Sequence, residues 1–405
     1  MSSVAGSFKL MKSLNRTLVL NSIRINGAIP RSEIAKETKL TAATVTNIVN
    51  ELISEELVLE TKPGISSGGR KPILLTINSK SRYVFGIDVG VNKIRFAIAD
   101  LEAKIVVKET EKIFHPLNNE DFLELLTSKL QIMFKNFGEK KSKIVGIGIA
   151  MHGIVDNKNG VALLAPTLKL KNIPIKTVLE KEFGIPVRIE NDAKTLALGE
   201  EWYGHGQSVK DLVCLNIGEG IGAGIILNHK LFHGNDNSAG EIGHTIIDIN
   251  GPKCSCGNYG CFQSLASGHA LKESALREIS LGRTTLLREK CHDKLENIDG
   301  LLIYQCALKG DSLSVELLQK TGRYIGIGIV NIIHFLNPPL IIIGGGVSRA
   351  KEFILPSIYE VIDAKSITPN NTQVVVSKLG EDGSLIGAFT LVLSELFNSI
   401  NSSLS

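Results

Sequence analysis

The chain has 405 residues, 43% hydrophobic and 21% charged, enough for two or three buried cores and too apolar for disorder. No uninterrupted apolar run reaches the roughly 18–20 residues that cross a bilayer, and the opening MSSVAGSFKLMKSLNRTLVLNSIRING lacks a signal peptide's apolar segment and cleavage site, so we expect a cytoplasmic protein without a membrane partner. The net charge of +4 lies wholly in residues 1–78, with 10 Lys+Arg against 6 Asp+Glu, which describes a small basic module joined to a neutral body.

Residues Asn15 to Asn26, with Leu18, Val19, Ile23 and Ile25, predict a first helix ended by Gly27. A short helix follows from Arg31 in RSEIAKETKL, and Leu40-Thr41 makes a turn. Thr41 is placed to cap the next helix, where Val45, Val49, Leu52 and Ile53 share a face. Its other face carries Ala43, Thr44, Thr46, Asn47 and Asn50, small and polar, with no acid before Glu51. A helix that enters a major groove needs such a face, since it must reach base edges without bringing negative charge to phosphates. Two strands, Val58–Thr61 and Ile73–Ile77, flank the basic loop KPGISSGGRKP and form a wing. Lys62, Arg70 and Lys71 are candidates for phosphate contact and Arg70 for a narrow minor groove. The alternative is a three-helix protein–protein module.

From Tyr83 the pattern changes to apolar strands and glycine turns. Tyr83–Val89 and Ile94–Ala99 predict a hairpin; further strands are expected at Ile144–Ala150, Val187–Glu190, Leu212–Ile217, Gly224–Leu227 and Leu340–Ile343. Helices are expected near 120–137, 192–202 and 312–336. This alternation indicates an α/β body that binds ligands at the carboxyl ends of its strands.

Cys214, Cys291 and Cys306 are scattered core residues, whereas His244, Cys254, Cys256 and Cys261 give H-x9-C-x-C-x4-C. One imidazole and three thiolates make a closed tetrahedral set of the structural zinc type, in a loop that Gly251, Gly257 and Gly260 let fold tightly. A metal-free cysteine loop is the alternative. Glu190-Asn191-Asp192 follows a predicted strand; Asn and Asp there suit either a helix cap or bidentate contact to neighbouring hydroxyls.

The order Asp88-Val89-Gly90, Glu190-Asn191-Asp192, Gly218 to Gly224, Glu241-Ile242-Gly243-His244, the cysteine cluster and Gly344-Gly345-Gly346 resembles the ROK family (repressors, open reading frames, kinases) over nearly the whole chain. The resemblance implies an α/β protein with an N-terminal winged helix-turn-helix and a two-lobed actin-like ATPase/sugar-kinase body. We divide it into a DNA-binding domain at 1–78, a first lobe at 79–195 completed by a C-terminal helix at 382–405, and a second lobe at 196–381 with the zinc loop and the oligomerisation surface. The family implies zinc on His244, Cys254, Cys256 and Cys261. It implies sugar contacts from Gly153, Asn191, Asp192, Glu241, His244 and Gln263, with Asp192 matching the kinases' general base. Gln263 stands where sugar-binding relatives carry Glu, and Met151-His152-Gly153 replaces the usual Pro-Gly turn.

ROK kinases have Asp-x-Gly-Gly-Thr in the first phosphate loop, where this chain has Asp88-Val89-Gly90-Val91-Asn92, and Gly-Thr-Gly in the second, here Gly218-Glu219-Gly220. Val91 removes a close backbone approach, Asn92 a hydroxyl, and Glu219 brings negative charge toward phosphate oxygens. No ATP is therefore expected, and Asp192 is a vestigial base. The expected function is a sugar-responsive repressor of a carbohydrate operon, binding operator DNA as a homodimer or homotetramer and released by sugar. Gly86 to Val91 and Asn250 to Asn258 are most similar to the xylose-operon repressors, so xylose is the first choice of effector. N-acetylglucosamine, glucose, retained kinase activity and control by a protein partner are the alternatives.

Overall fold

The structure, a computed structural model, describes residues 8–61, 72–114, 116–292, 294–367 and 371–397. The head has helices Phe8–Asn26, Arg31–Thr38 and Ala42–Ser54. The first begins at Phe8, about two turns earlier than its apolar pattern from Asn15 suggests. In the third, Thr41 caps as expected, its side chain accepting from the Thr44 amide. The buried stripe there is Val45, Ile48, Val49 and Leu52. Ile48 belongs to it and Ile53 is only half-buried, because the i, i+3, i+4, i+7 rows close at Leu52.

Strands Val58–Thr61 and Leu74–Ile77 pair antiparallel, and a two-residue strand, Ile29–Pro30, joins the other edge of Leu74–Ile77. That short strand has no period of its own and exists through its partner. Lys62, Arg70 and Lys71 lie outside the described residues.

Among the described residues the body contains two five-stranded sheets built to the same plan and a smaller one of Ile154–Asp156, Val161–Ala165 and Leu170–Ile173. In one, the antiparallel hairpin Tyr83–Val89 and Lys93–Asp100 is followed by parallel strands Ile144–Met151 and Val187–Asn191, with Ile105–Lys112 on the outer edge. In the other, the hairpin Leu212–Ile217 and Ile221–Leu227 is followed by parallel strands Leu340–Gly344 and Gln373–Val376. Tyr83–Val89 and Leu340–Gly344 are buried at every residue, as strands covered on both faces must be. Ile105–Lys112 alternates between half-buried and exposed, as an edge strand does.

Between the sheets run two helices. Asp192–Tyr203 packs on the second sheet and Gly383–Phe397 on the first, and the two lie against each other. Their approach is close: a Cβ on Gly387 would stand 1.7 Å from the Thr195 carbonyl oxygen, so only glycine fits. Helices Ser312–Leu336 and Lys351–Lys365 cover the second sheet's far side. This is the α/β, two-lobed actin-like architecture.

Candidate functional site

The carboxyl ends of Tyr83–Val89, Ile144–Met151 and Val187–Asn191 deliver Asp88, the Met151-His152-Gly153 turn and Glu190-Asn191-Asp192 to one edge. Asn191 is the helix cap: its Oδ1 accepts from the amides of Ala193 at 2.9 Å and Lys194 at 3.2 Å. Its Nδ2 donates to the Gly153 carbonyl at 2.9 Å, which fixes that turn. Gly153 has φ +101°, and a Cβ there would lie 2.1 Å from the Leu164 carbonyl oxygen. Asn191 thus shapes the cleft with most of its hydrogen-bonding capacity already committed.

Asp192 is half-buried and accepts at Oδ1 from Ala193 N (2.9 Å) and at Oδ2 from Asn216 Nδ2 (3.2 Å). Burial, with Asp88 and Glu241 adding like charge, pushes its pKa up to about 6, while His152 opposes the rise. Asp192 and Glu241 therefore face the same electrostatic space, and Glu241 itself is exposed. Carboxylates so placed accept hydrogen bonds from hydroxyls.

A group invisible to motif reading holds the loop that leads to Glu241. Glu190, 2% exposed, accepts at Oε2 from Asn157 Nδ2 at 2.9 Å, contacts His233 Nε2 at 2.8 Å, and accepts at Oε1 from the Asn191 amide. Lys194, also buried, donates Nζ to the Asn237 carbonyl. Strand end and loop are thereby tied together. Only Glu190 stood out in the sequence; Asn157 and His233 are single residues in loops with no spacing to betray them.

The structure brings His244, Cys254, Cys256 and Cys261 together, their donor atoms all within 4.8 Å of one another. Cys254 Sγ lies 3.7 Å from His244 Nδ1, and Cys256 Sγ 3.7 Å from Cys261 Sγ. A tetrahedral zinc with arms of about 2.0–2.3 Å gives edges of about 3.5–3.8 Å, so the cluster fits that ion. Nδ1 faces the sulfurs, which leaves Nε2 for another partner. Burial disfavours ionisation of Cys254, but hydrogen bonds from Cys256, Gln263 and His244 outweigh it and bring the thiol down to about 6. Burial and the neighbouring thiols push Cys261 up to about 12. Gln263 donates Nε2 to Cys254 Sγ at 3.4 Å and to Ser255 Oγ at 3.3 Å, so it supports the cysteine loop.

At the same edge Asp88 is paired by Arg95 through Nε at 2.7 Å. Arg95 also contacts Asp382 and the Glu381 carbonyl, Lys108 contacts Asp382, and Lys93 and Arg349 contact Glu381. Glu219 and Asn92 are exposed and Val91 half-buried. Arg95 was missed in the sequence, although hairpin register sets it opposite Asp88.

In the head, Ala43, Thr46, Asn47 and Asn50 are exposed on one face of their helix, and Thr44 is half-buried beside Thr41. Arg31 reaches this edge, donating to Glu60 at 2.8 Å and to Asn50 Oδ1 at 3.5 Å. Lys12 pairs with Glu51 and Arg16 with Glu55, so one acid of that helix and the acid just past its end are neutralised within the head.

The repeated sheets and this cleft define a member of the ROK family: the chain belongs to it, the family's sequence profile matching residues 84–395. It is 35% identical over 398 residues to the xylose repressor of Caldicellulosiruptor bescii, covering 97% of this chain and 98% of that one. It is similar to a crystal structure described as a ROK family transcriptional regulator, homolog of E. coli MLC protein, with TM-score 0.83 and 30% identity over 96% of this chain and 98% of that one. A ROK family glucokinase from Streptomyces griseus, solved with glucose and AMPPNP, gives TM-score 0.67 and 29% identity, covering 76% of this chain and 98% of its own. Among the described residues no helix is long and apolar enough to cross a membrane.

Proposed function

We propose that this chain is a sugar-responsive transcriptional repressor that binds operator DNA through residues 1–78 and a sugar between the lobes 79–195 and 196–381. Asp192 and Glu241 accept hydrogen bonds from sugar hydroxyls, His244 offers Nε2, and Gly153 and Asn191 form the wall. Gln263 acts mainly through the zinc loop. Zinc on His244, Cys254, Cys256 and Cys261 fixes the position of that imidazole and activates no water, because its ligand set is complete. D-Xylose is the first effector to test, on the strength of similarity to a xylose repressor.

The observation that carries this reading is the asymmetry of the cleft. The hydroxyl-binding carboxylates are kept, while Arg95 occupies the Asp88 carboxylate of the first phosphate turn. Without a free carboxylate there and with Glu219 in the second turn, Mg-ATP lacks its cradle, so the protein senses sugar without phosphorylating it. The helix Ala42–Ser54 enters the major groove with Ala43, Thr44, Thr46, Asn47 and Asn50, seated by Thr41 and Arg31, and Arg70 and Lys71 contact the backbone from the wing. A homodimer or homotetramer pairs two such heads on a two-fold site. Sugar favours a closed body whose heads no longer match that site.

Gel-shift titration of the chain's own promoter, with and without D-xylose and a panel of hexoses, tests the proposal. A sugar-dependent loss of affinity supports it. ADP release above the buffer control with any sugar replaces it by a DNA-binding kinase; release that requires an added cell protein replaces it by partner control.

A further inference from the structure

The chain has a single tryptophan, Trp202, in the last turn of the helix Asp192–Tyr203. The first residue of this helix is in the sugar cleft. The last turn lies against the head: Arg24, on the first helix of the head, stacks its guanidinium 3.8 Å from the Trp202 ring centre and 5.9 Å from that of Phe397. Trp202 and Phe397 meet edge to face at 6.0 Å. Asn21, one turn earlier than Arg24, accepts from Arg24 Nε at Oδ1 and donates Nδ2 to the Phe397 carbonyl.

Phe397 ends the helix Gly383–Phe397, which at its own start reaches the cleft, where Ser384 Oγ donates to the Asp192 carbonyl at 3.0 Å. Because Gly387 packs on the Thr195 backbone, the two helices cannot slide past each other and move as one strut. From Asp192 to Trp202 the strut is roughly 15 Å long, at 1.5 Å per residue.

We propose that Arg24 and Trp202 are the positioning residues that couple sugar in the Asp192 cleft to the orientation of the DNA-binding head. The proposal rests on the regulator reading above and names the route by which that site acts. Hydroxyls binding Asp192 pull on the first turn of the strut; the displacement arrives at Trp202 and Phe397; and the aromatic pair, gripped by Arg24, turns the head. Burial lowers the Arg24 pKa, which is the mark of a cation held among rings and out of water. Beside it, the Tyr203 hydroxyl is buried without a hydrogen-bond partner among the described residues.

Trp202 makes the test direct. In the full-length protein, titration with D-xylose and the hexose panel should change tryptophan emission saturably, although no other tryptophan exists to respond. Arg24→Ala should retain the sugar affinity measured by calorimetry and the sugar-free operator affinity, while the sugar-induced loss of operator affinity, of about 5–150-fold in a typical coupled pair, falls toward onefold. Arg24→Lys keeps the charge without the planar stack and should recover part of the coupling. By reciprocity, promoter DNA should lower sugar affinity in the wild type and not in Arg24→Ala. A wild type whose operator affinity ignores every sugar overturns the regulator reading and the coupling with it. A sugar-responsive wild type whose Arg24→Ala variant responds as fully overturns the coupling alone.

Discussion

Asp88 and Arg95 stand directly opposite each other in the antiparallel pair Tyr83–Val89 and Lys93–Asp100, joined by a hydrogen bond of 2.7 Å from Arg95 Nε. Their side chains are 7% and 14% exposed, so the pair is close to fully desolvated. The Asp88 carboxylate, which would otherwise call for a cation, finds its counter-charge within the chain.

Removal of one partner leaves the other buried and uncompensated. Arg95→Ala should therefore destabilise the protein by about 2–4 kcal/mol, somewhat below the cost of breaking a completely buried pair. It should not restore phosphorylation, since Val91, Asn92 and Glu219 remain. Urea unfolding and a coupled ADP-release assay on the same variant check both halves.

The raised pKa of Asp192 has a sign that can be tested. Between its ordinary value near 3.8 and about 6 the unfolded chain ionises this group more readily than the folded one, so stability falls as pH rises through that window and then levels off. Asp192→Asn removes the penalty: the variant should be about 3 kcal/mol more stable than wild type at pH 7 and close to it near pH 4. Sugar response should be lost in the same variant, and thermal unfolding across pH with and without D-xylose measures the two effects together.

Cys256→Ala deletes one ligand of the set of His244, Cys254, Cys256 and Cys261, and purified variant should lose stoichiometric zinc. Gln263→Ala removes only the donor to Cys254 Sγ, and weakening of zinc affinity by about 10-fold is expected for such an outer hydrogen bond. Metal analysis and competition with a chromophoric chelator distinguish the two. Either variant should impair the sugar response more than the affinity of the head for DNA.

In the head, two substitutions should differ in kind. Asn47→Ala, on the exposed face of its helix, should cost about 1–3 kcal/mol on operator DNA and little on random duplex. Arg70→Ala should weaken both alike and flatten the dependence of log affinity on log salt by about one unit. Gel shifts over a salt series on both duplexes measure each slope.

Features that are local can be read directly from the order of residues. The Thr41 cap, the helix Ser312–Leu336 and the strand Leu212–Ile217 follow from capping chemistry and hydrophobic period within a few residues of where they act. The cysteine loop is legible for the same reason: its thiols lie within eight positions of one another, and a short loop brings them together whatever the rest of the chain does. The ordered glycine turns mark the family for the same reason, since each is a short local signal.

Which single residues meet emerges from the packing of distant segments. Asn157, Glu190 and His233 converge from separate segments, as do Arg24, Trp202 and Phe397, and Ile29–Pro30 becomes a strand only by pairing with Leu74-Leu75. Such contacts have no spacing to recognise, because they are set by how sheets and helices stack and not by the period of any one of them. The contacts of the motif positions are likewise set in space: Asn191 caps its helix and braces the Gly153 turn, Gln263 donates to the Cys254 sulfur, and Asp88 is matched by Arg95. Each of these residues has the right chemistry for many partners, and packing leaves it within reach of a few.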